Sequence, residues 1–266
     1  MTAQDHADPP APAHRRRGRF GAALNELSGA QKSQAGVPLY TRYVNRRLGR
    51  YAAAWAYTVR LTPNQVTGLS ALCSAAALAL VVTVSPALWL ALTATVLLVI
   101  GYALDSADGQ LARLTGSGGP AGEWLDHVVD AARNPALHLA LLISLYRFAD
   151  LPDWVLLLPM LFLLTTMVRF FGQMLAEQLR RREPMPSPAD AQTDQKGRSI
   201  IQLPSDPGVI NLVFVFLAWP WVFVWVYAGL LGANMLLALA SLVRRFREMR
   251  HLQAALHDAT ITRGVS

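Results

Sequence analysis

The chain has 266 residues, 53% of them hydrophobic and only 15% charged, with a mean hydropathy of +0.29. Soluble domains carry about 25% charged residues, so the balance points to a membrane protein and against a soluble enzyme. A net charge of +7 would suit nucleic acid, but the positions of the basic residues argue otherwise, and the lone Cys73 excludes an intrachain disulfide framework.

In chain order, residues 1–36 are polar, Ala/Pro-rich and basic, with the run HRRRGR at His14–Arg19. They hold no apolar core of the kind a secretory signal needs, and a disordered cytoplasmic tail is expected. Residues 37–60 predict an amphipathic juxtamembrane helix. Arg42, Arg46 and Arg50 fall on one stripe, with Tyr43, Leu48, Tyr51 and Trp55 elsewhere. A helix lying on anionic lipid fits that pattern; a nucleic-acid patch is the competing reading.

Six spans follow, at residues 63–84, 87–112, 121–146, 154–179, 206–219 and 221–246, against the roughly 20 apolar residues that a crossing needs. They predict an all-α, six-helix membrane domain over 61–250, with 251–266 as a cytoplasmic C-terminal tail. The first span opens at LTPNQVT, where Thr62 can cap and Pro63 suits the first turn. The fifth opens in the same way at Asp206 and Pro207, and is short; Trp219 and Trp221 suit an interfacial belt. The connection 180–205 reads as a flexible cytoplasmic loop. With the N-terminal tail cytoplasmic, that face also holds Arg113, Arg180–Arg182, Lys196, Arg198, Arg244, Arg245, Arg247 and Arg250, while the other face keeps only Arg147. This asymmetry assigns the positive charge to orientation in a cell membrane. No internal repeat is visible, so an inverted-repeat transporter gains no support.

The segment Gly101–Arg133 raises the functional question, because it places Asp105, Asp108, Asp126 and Asp130 in apolar helices. Each charge costs roughly 2.5–3.5 kcal/mol near a bilayer centre. Residues three and four apart share a helix face. Asp105, Asp108, Gly109, Ala112 and Arg113 therefore lie along the second span, and Gly122, Asp126 and Asp130 along the third. The short connection LTGSGGPA predicts antiparallel neighbours with both acidic stripes level. Converging carboxylates need positive charge between them, and hard divalent cations such as Mg²⁺ or Mn²⁺ favour carboxylate oxygens. A structural ion-pair network is the bland alternative, but four acids against one nearby arginine leave an excess of negative charge. Gly109 and Gly122 would leave a slot for a flat ring, and Arg113 offers a forked donor for phosphate.

The segment matches D-x2-D-G-x2-A-R-x8-G-x3-D-x3-D at every fixed position: Asp105, Asp108, Gly109, Ala112, Arg113, Gly122, Asp126 and Asp130. In this it resembles the CDP-alcohol phosphotransferase family, as do the span pattern, the amphipathic lead-in helix and the TPNQVT entrance. The resemblance implies an integral membrane enzyme, commonly a homodimer, that displaces CMP from a CDP-linked lipid or alcohol. It implies Asp105, Asp108 and Asp126 as ligands of a two-metal centre, with Asp130 as proton acceptor and further metal contact. It also implies Thr62, Pro63, Asn64, Gln65, Gly109, Ala112, Arg113 and Gly122 at the nucleotide. The sequence departs from some relatives at Asn64, where an acid stands, and at Gly119, where a threonine stands.

For the acceptor, Arg169 lies within the fourth span and Arg133 one turn past Asp130. An intramembrane arginine suggests a functional site. Each could bind an acceptor phosphate; alternatively Arg133 balances Asp130, and Arg169 snorkels or pairs with another acid. His127 points off the acidic stripe and reads as a supporting or packing residue. The expected function is a phosphatidyl transfer from CDP-diacylglycerol to a polar alcohol. A soluble CDP-alcohol donor with a diacylglycerol acceptor is the alternative, and a divalent-metal or proton transporter the alternative of another class.

Overall fold

The computed structural model describes residues 13–29, 37–182 and 199–264, with side chains described between Gly18 and Ala254. Among them there is no strand. The α-helices that carry the fold among the described residues are α1 Ala13–Gly29, α2 Arg46–Thr58, α3 Pro63–Thr83, α4 Leu88–Thr115, α5 Pro120–Phe148, α6 Leu157–Arg182, α7 Pro207–Val213 and α8 Pro220–Gly264. Five of these (α3, α4, α5, α6 and α8) are long and apolar enough to cross a membrane, so the chain is a multi-pass membrane protein.

The predicted fifth span is different in kind. It consists of α7 followed by a 3₁₀ stretch, Phe214–Ala218, and at 1.5 and 2.0 Å per residue it extends only about 20 Å. The hydrocarbon layer is about 30 Å thick. The six predicted spans are therefore five long helices and one short apolar segment. Its start lies beside Thr41, and its end shares a small cavity with Ser85, Pro86 and Phe148.

The local signals for the helix starts act as the sequence predicts. Thr62 Oγ1 accepts from Gln65 N, and Gln65 Oε1 accepts from Thr62 N, forming a reciprocal capping box ahead of Pro63. Asp206 Oδ1 accepts from Gly208 N to cap α7. Gly116, in the left-handed region with φ +63°, ends α4.

Helix α3 packs against both α4 and α5, whereas α4 and α5 are not a packed pair. The expected neighbours thus meet through side chains, Arg133 of α5 reaching Asp105 of α4, rather than by close backbone packing. A short connection fixes the ends of two helices but not their contact. The α2–α4 contact is close: a Cβ on Gly49 would stand 2.7 Å from Ser106 Oγ. That face of α2 is buried at Asn45, Gly49, Ala53 and Ala56, while Val44, Leu48, Tyr51, Trp55 and Val59 form an exposed apolar stripe. The lead-in to α2 is a π-helical turn over Thr41–Asn45.

Helix extends into both predicted tails. Within the predicted disordered tail, residues 13–29 are helical, because Ala23 and Leu27, one turn apart, bury against a cluster containing Ala53, Ala54 and Leu111. At the other end, α8 runs 45 residues, about 67 Å, so the tail from 251 continues as helix to Gly264. Residues 1–12, 30–36 and 183–198, which include most of the predicted flexible loop, lie outside the described residues.

Candidate metal and nucleotide site

The motif residues occupy the last turns of α4 and the first turns of α5. Carboxylate oxygens of Asp105, Asp126 and Asp130 lie within 4.8 Å of one another, which brings together three of the four predicted acids from α4 and α5. The fourth, Asp108, is buried at 6% exposure and turned towards α3. Its Oδ2 accepts from Thr67 Oγ1 at 2.6 Å and its Oδ1 from Gly109 N. A carboxylate fixed by two donors is preorganised, at the cost of the lone pairs those donors occupy.

Arg133 is the counter-charge already present. Its Nη1 donates to Asp105 Oδ1 at 3.0 Å and its Nη2 to Asp130 Oδ1, joining α4 to α5. Ser70 Oγ stands 3.5 Å from Nη1 and donates to Gly101 O. The reading in which Arg133 balances Asp130 therefore describes its contacts here, although Arg133 also lines the neighbouring cavity. One guanidinium against three converging carboxylates leaves net negative charge in a half-buried setting. That excess, together with an all-oxygen donor set, suits a hard divalent cation.

The glycines separate into two kinds. Gly49 and Gly101 are dictated by helix packing, since an added Cβ would fall within 2.7 Å of a neighbouring hydroxyl oxygen. At Gly109 the nearest atom to such a Cβ is Arg113 Nη1 at 3.6 Å, and at Gly122 it is Asn64 Oδ1 at 3.4 Å. These are ordinary contacts, so packing within the chain does not require glycine at either place. Gly109 thus looks onto Arg113, and Gly122 onto Asn64. Thr62, Pro63 and Gln65 form the capped start of α3 beside it, and Ala112 lies on α4 next to Arg113. Arg46, on α2, extends the basic rim: burial, and then the charge of Arg42, lower its guanidinium pKa from the ordinary value.

Adjoining the acids is a cavity of about 380 Å³ lined by Thr41, Tyr102, Asp130, Arg133, Arg169 and Asn234 among others. Both predicted acceptor arginines face it. Arg169 has no carboxylate within ion-pair distance among the described residues; its Nη1 stands 3.4 Å from Asn234 Oδ1. His127 lies 3.9 Å from Glu123 and also borders the cavity, apart from the three acids.

The sequence reading missed the polar frame around these groups. Asp206, fully buried, accepts from Thr41 N at 2.7 Å and from Thr41 Oγ1 at 2.8 Å. Thr41 Oγ1 also meets the Tyr102 hydroxyl at 2.7 Å, and the Tyr102 ring lies 5.9 Å from the Arg133 guanidinium carbon. Nothing periodic links positions 41, 102 and 206. Thr67 did carry a signal, standing four residues past Pro63 on the side of α3 that faces α4.

Residues 60–243 match the family model described as CDP-alcohol phosphatidyltransferase, which spans the helices α3 to α7 and most of the apolar part of α8. No curated protein matches the chain.

Proposed function

Because the chain belongs to the CDP-alcohol phosphatidyltransferase family, we propose that it transfers a phosphatidyl group from CDP-diacylglycerol to the hydroxyl of a small polar alcohol and releases CMP. The observation that carries the reading is the meeting of Asp105, Asp126 and Asp130. Members of the family use divalent metals. In our reading Asp105, Asp108 and Asp126 hold two Mg²⁺ or Mn²⁺ ions, with Asp130 at their edge. Bound there, the ions would neutralise the diphosphate and stabilise the CMP leaving group.

The chain's own residues account for the rest. Asn64 and the other residues from Thr62 to Gln65, with Gly109, Ala112, Arg113 and Gly122, hold the cytidine and its phosphates. Asp130, kept in place by Arg133, takes the proton of the acceptor hydroxyl. The freed oxygen attacks the β-phosphorus, and the bond from that phosphorus to the CMP oxygen breaks. A carboxylate is a weak base for an alcohol, so orientation must supply much of the rate gain. The acceptor occupies the cavity beside Asp130, and Arg169 binds its phosphate.

Around this site we place six crossings, with the short segment 207–218 as one of them, the termini and the acids on the cytoplasmic side, and α2 lying in the interface with its apolar stripe in lipid. A homodimer is part of the same reading. The donor is tested by giving the purified protein labelled CDP-diacylglycerol with a panel of alcohols, or CDP-choline with diacylglycerol, and following CMP and lipid product. CMP release from the lipid donor alone supports the proposal. Turnover confined to the soluble donor would replace it with the reverse pairing of substrates.

A further inference from the structure

Asn234 sits on α8 at 5% exposure and borders the same cavity. Its side-chain amide is held in one orientation. Nδ2 donates both hydrogens, to Pro204 O at 2.7 Å and to Leu230 O at 3.0 Å. Oδ1 is thereby left facing Arg169 Nη1, at 3.4 Å. Turning the amide over would set its NH₂ against a guanidinium and its oxygen against two carbonyls, so the donor pattern admits only one arrangement.

The chemical type of this partner matters as much as its place. A carboxylate beside Arg169 would orient the guanidinium and also cancel its charge. An amide orients it and leaves the charge intact. Among the described residues Arg169 has no ion-paired acid, and Arg245 adds further positive potential. A buried cation without a counter-ion is costly, and an incoming dianion would relieve that cost. Pro204 also lies two residues before Asp206, which fixes Thr41 on the wall of the same cavity.

We infer that Asn234 is a positioning residue that keeps Arg169 aimed at the phosphate of the acceptor without neutralising it; this rests on the acceptor reading given above. Asn234→Asp is nearly isosteric, but it places a competing anion against Arg169.

The test uses the purified full chain in detergent, with inorganic phosphate as the probe in chelator-containing buffer. Mg²⁺-dependent CMP binding, measured separately, serves as the control for folding and for the donor side. Asn234→Asp is expected to weaken phosphate binding by about tenfold or more, and Arg169→Gln by a similar factor, with CMP affinity unchanged in both. Asn234→Ala, which loses the bonds to Pro204 and Leu230 without adding charge, should show a smaller loss. Adding Asn234→Ala to Arg169→Gln should cost nothing further, because the residue acts through the arginine. Wild-type phosphate affinity in both Asn234 variants, with a loss in Arg169→Gln, would overturn the positioning role and leave the acceptor reading standing. An equal further loss in the double variant would also overturn it. Wild-type affinity in Arg169→Gln would overturn the acceptor reading, and this inference with it.

Discussion

Thr67→Val tests whether Asp108 works as a metal ligand set by its neighbour. Thr67 is 3% exposed, and its hydroxyl donates to Asp108 Oδ2 at 2.6 Å. Valine preserves the shape and removes the donor. A hydrogen bond to a charged group contributes about 1.5–3 kcal/mol, and losing the partner that orients a metal ligand typically costs about 10–100-fold in metal affinity. Both scales predict that the Mg²⁺ concentration for half-maximal CMP release rises by about tenfold or more. At saturating Mg²⁺ the donor and acceptor KM values should stay near those of the wild type, and Thr67→Ser should behave as wild type. The assay is a Mg²⁺ titration of CMP release in detergent, with a melting curve for each variant. An unchanged Mg²⁺ requirement, with only the melting temperature lowered, would refute the reasoning and leave Thr67 a packing residue.

Other consequences are as direct. Gly109→Ala should keep the wild-type melting temperature yet weaken CMP binding, because its Cβ would meet only Arg113 within the chain and intrude on the proposed nucleotide position, whereas Gly49→Ala should lower stability through the 2.7 Å approach to Ser106; the opposite pattern in melting curves and CMP titrations would contradict the division of the glycines. Asp105→Asn or Asp126→Asn should weaken metal binding, while Asp130→Asn should reduce turnover more than nucleotide affinity. Parallel losses in all three would remove the separate role of Asp130. In a Cys73→Ser background, cysteines placed near Gln195 should resist an impermeant reagent in intact cells, and labelling there would show the topology to be inverted or miscounted.

Much of this was legible because it is local. The acidic motif spaces its residues three and four apart on single helices, so sequence spacing alone puts Asp105 with Gly109 and Asp126 with Asp130. Thr62 and Asp206 announce helix starts through the residues that follow them. The parts that were not legible depend on contacts between distant segments. The connection Gly116–Gly119 suggests that α4 and α5 pack together, but both pack on α3 and meet each other through Arg133 and the acids. Helix α1 was hidden because its stripe of Phe20, Ala23, Leu24 and Leu27 lies in a basic, Ala/Pro-rich composition. The lock between Thr41, Tyr102 and Asp206, and the grip of Asn234 on Arg169, join residues 61 to 165 positions apart.

The central claim is that the converging aspartates transfer a phosphatidyl group with the help of divalent cations. The most direct measurement is a single-turnover reaction of the purified protein with CDP-diacylglycerol labelled in its lipid part, run with Mg²⁺ and in exhaustive chelator. Label should pass to the alcohol acceptor, with stoichiometric CMP, only when the cation is present, and not at all in Asp126→Asn. Full transfer in chelator, or by that variant, would contradict it.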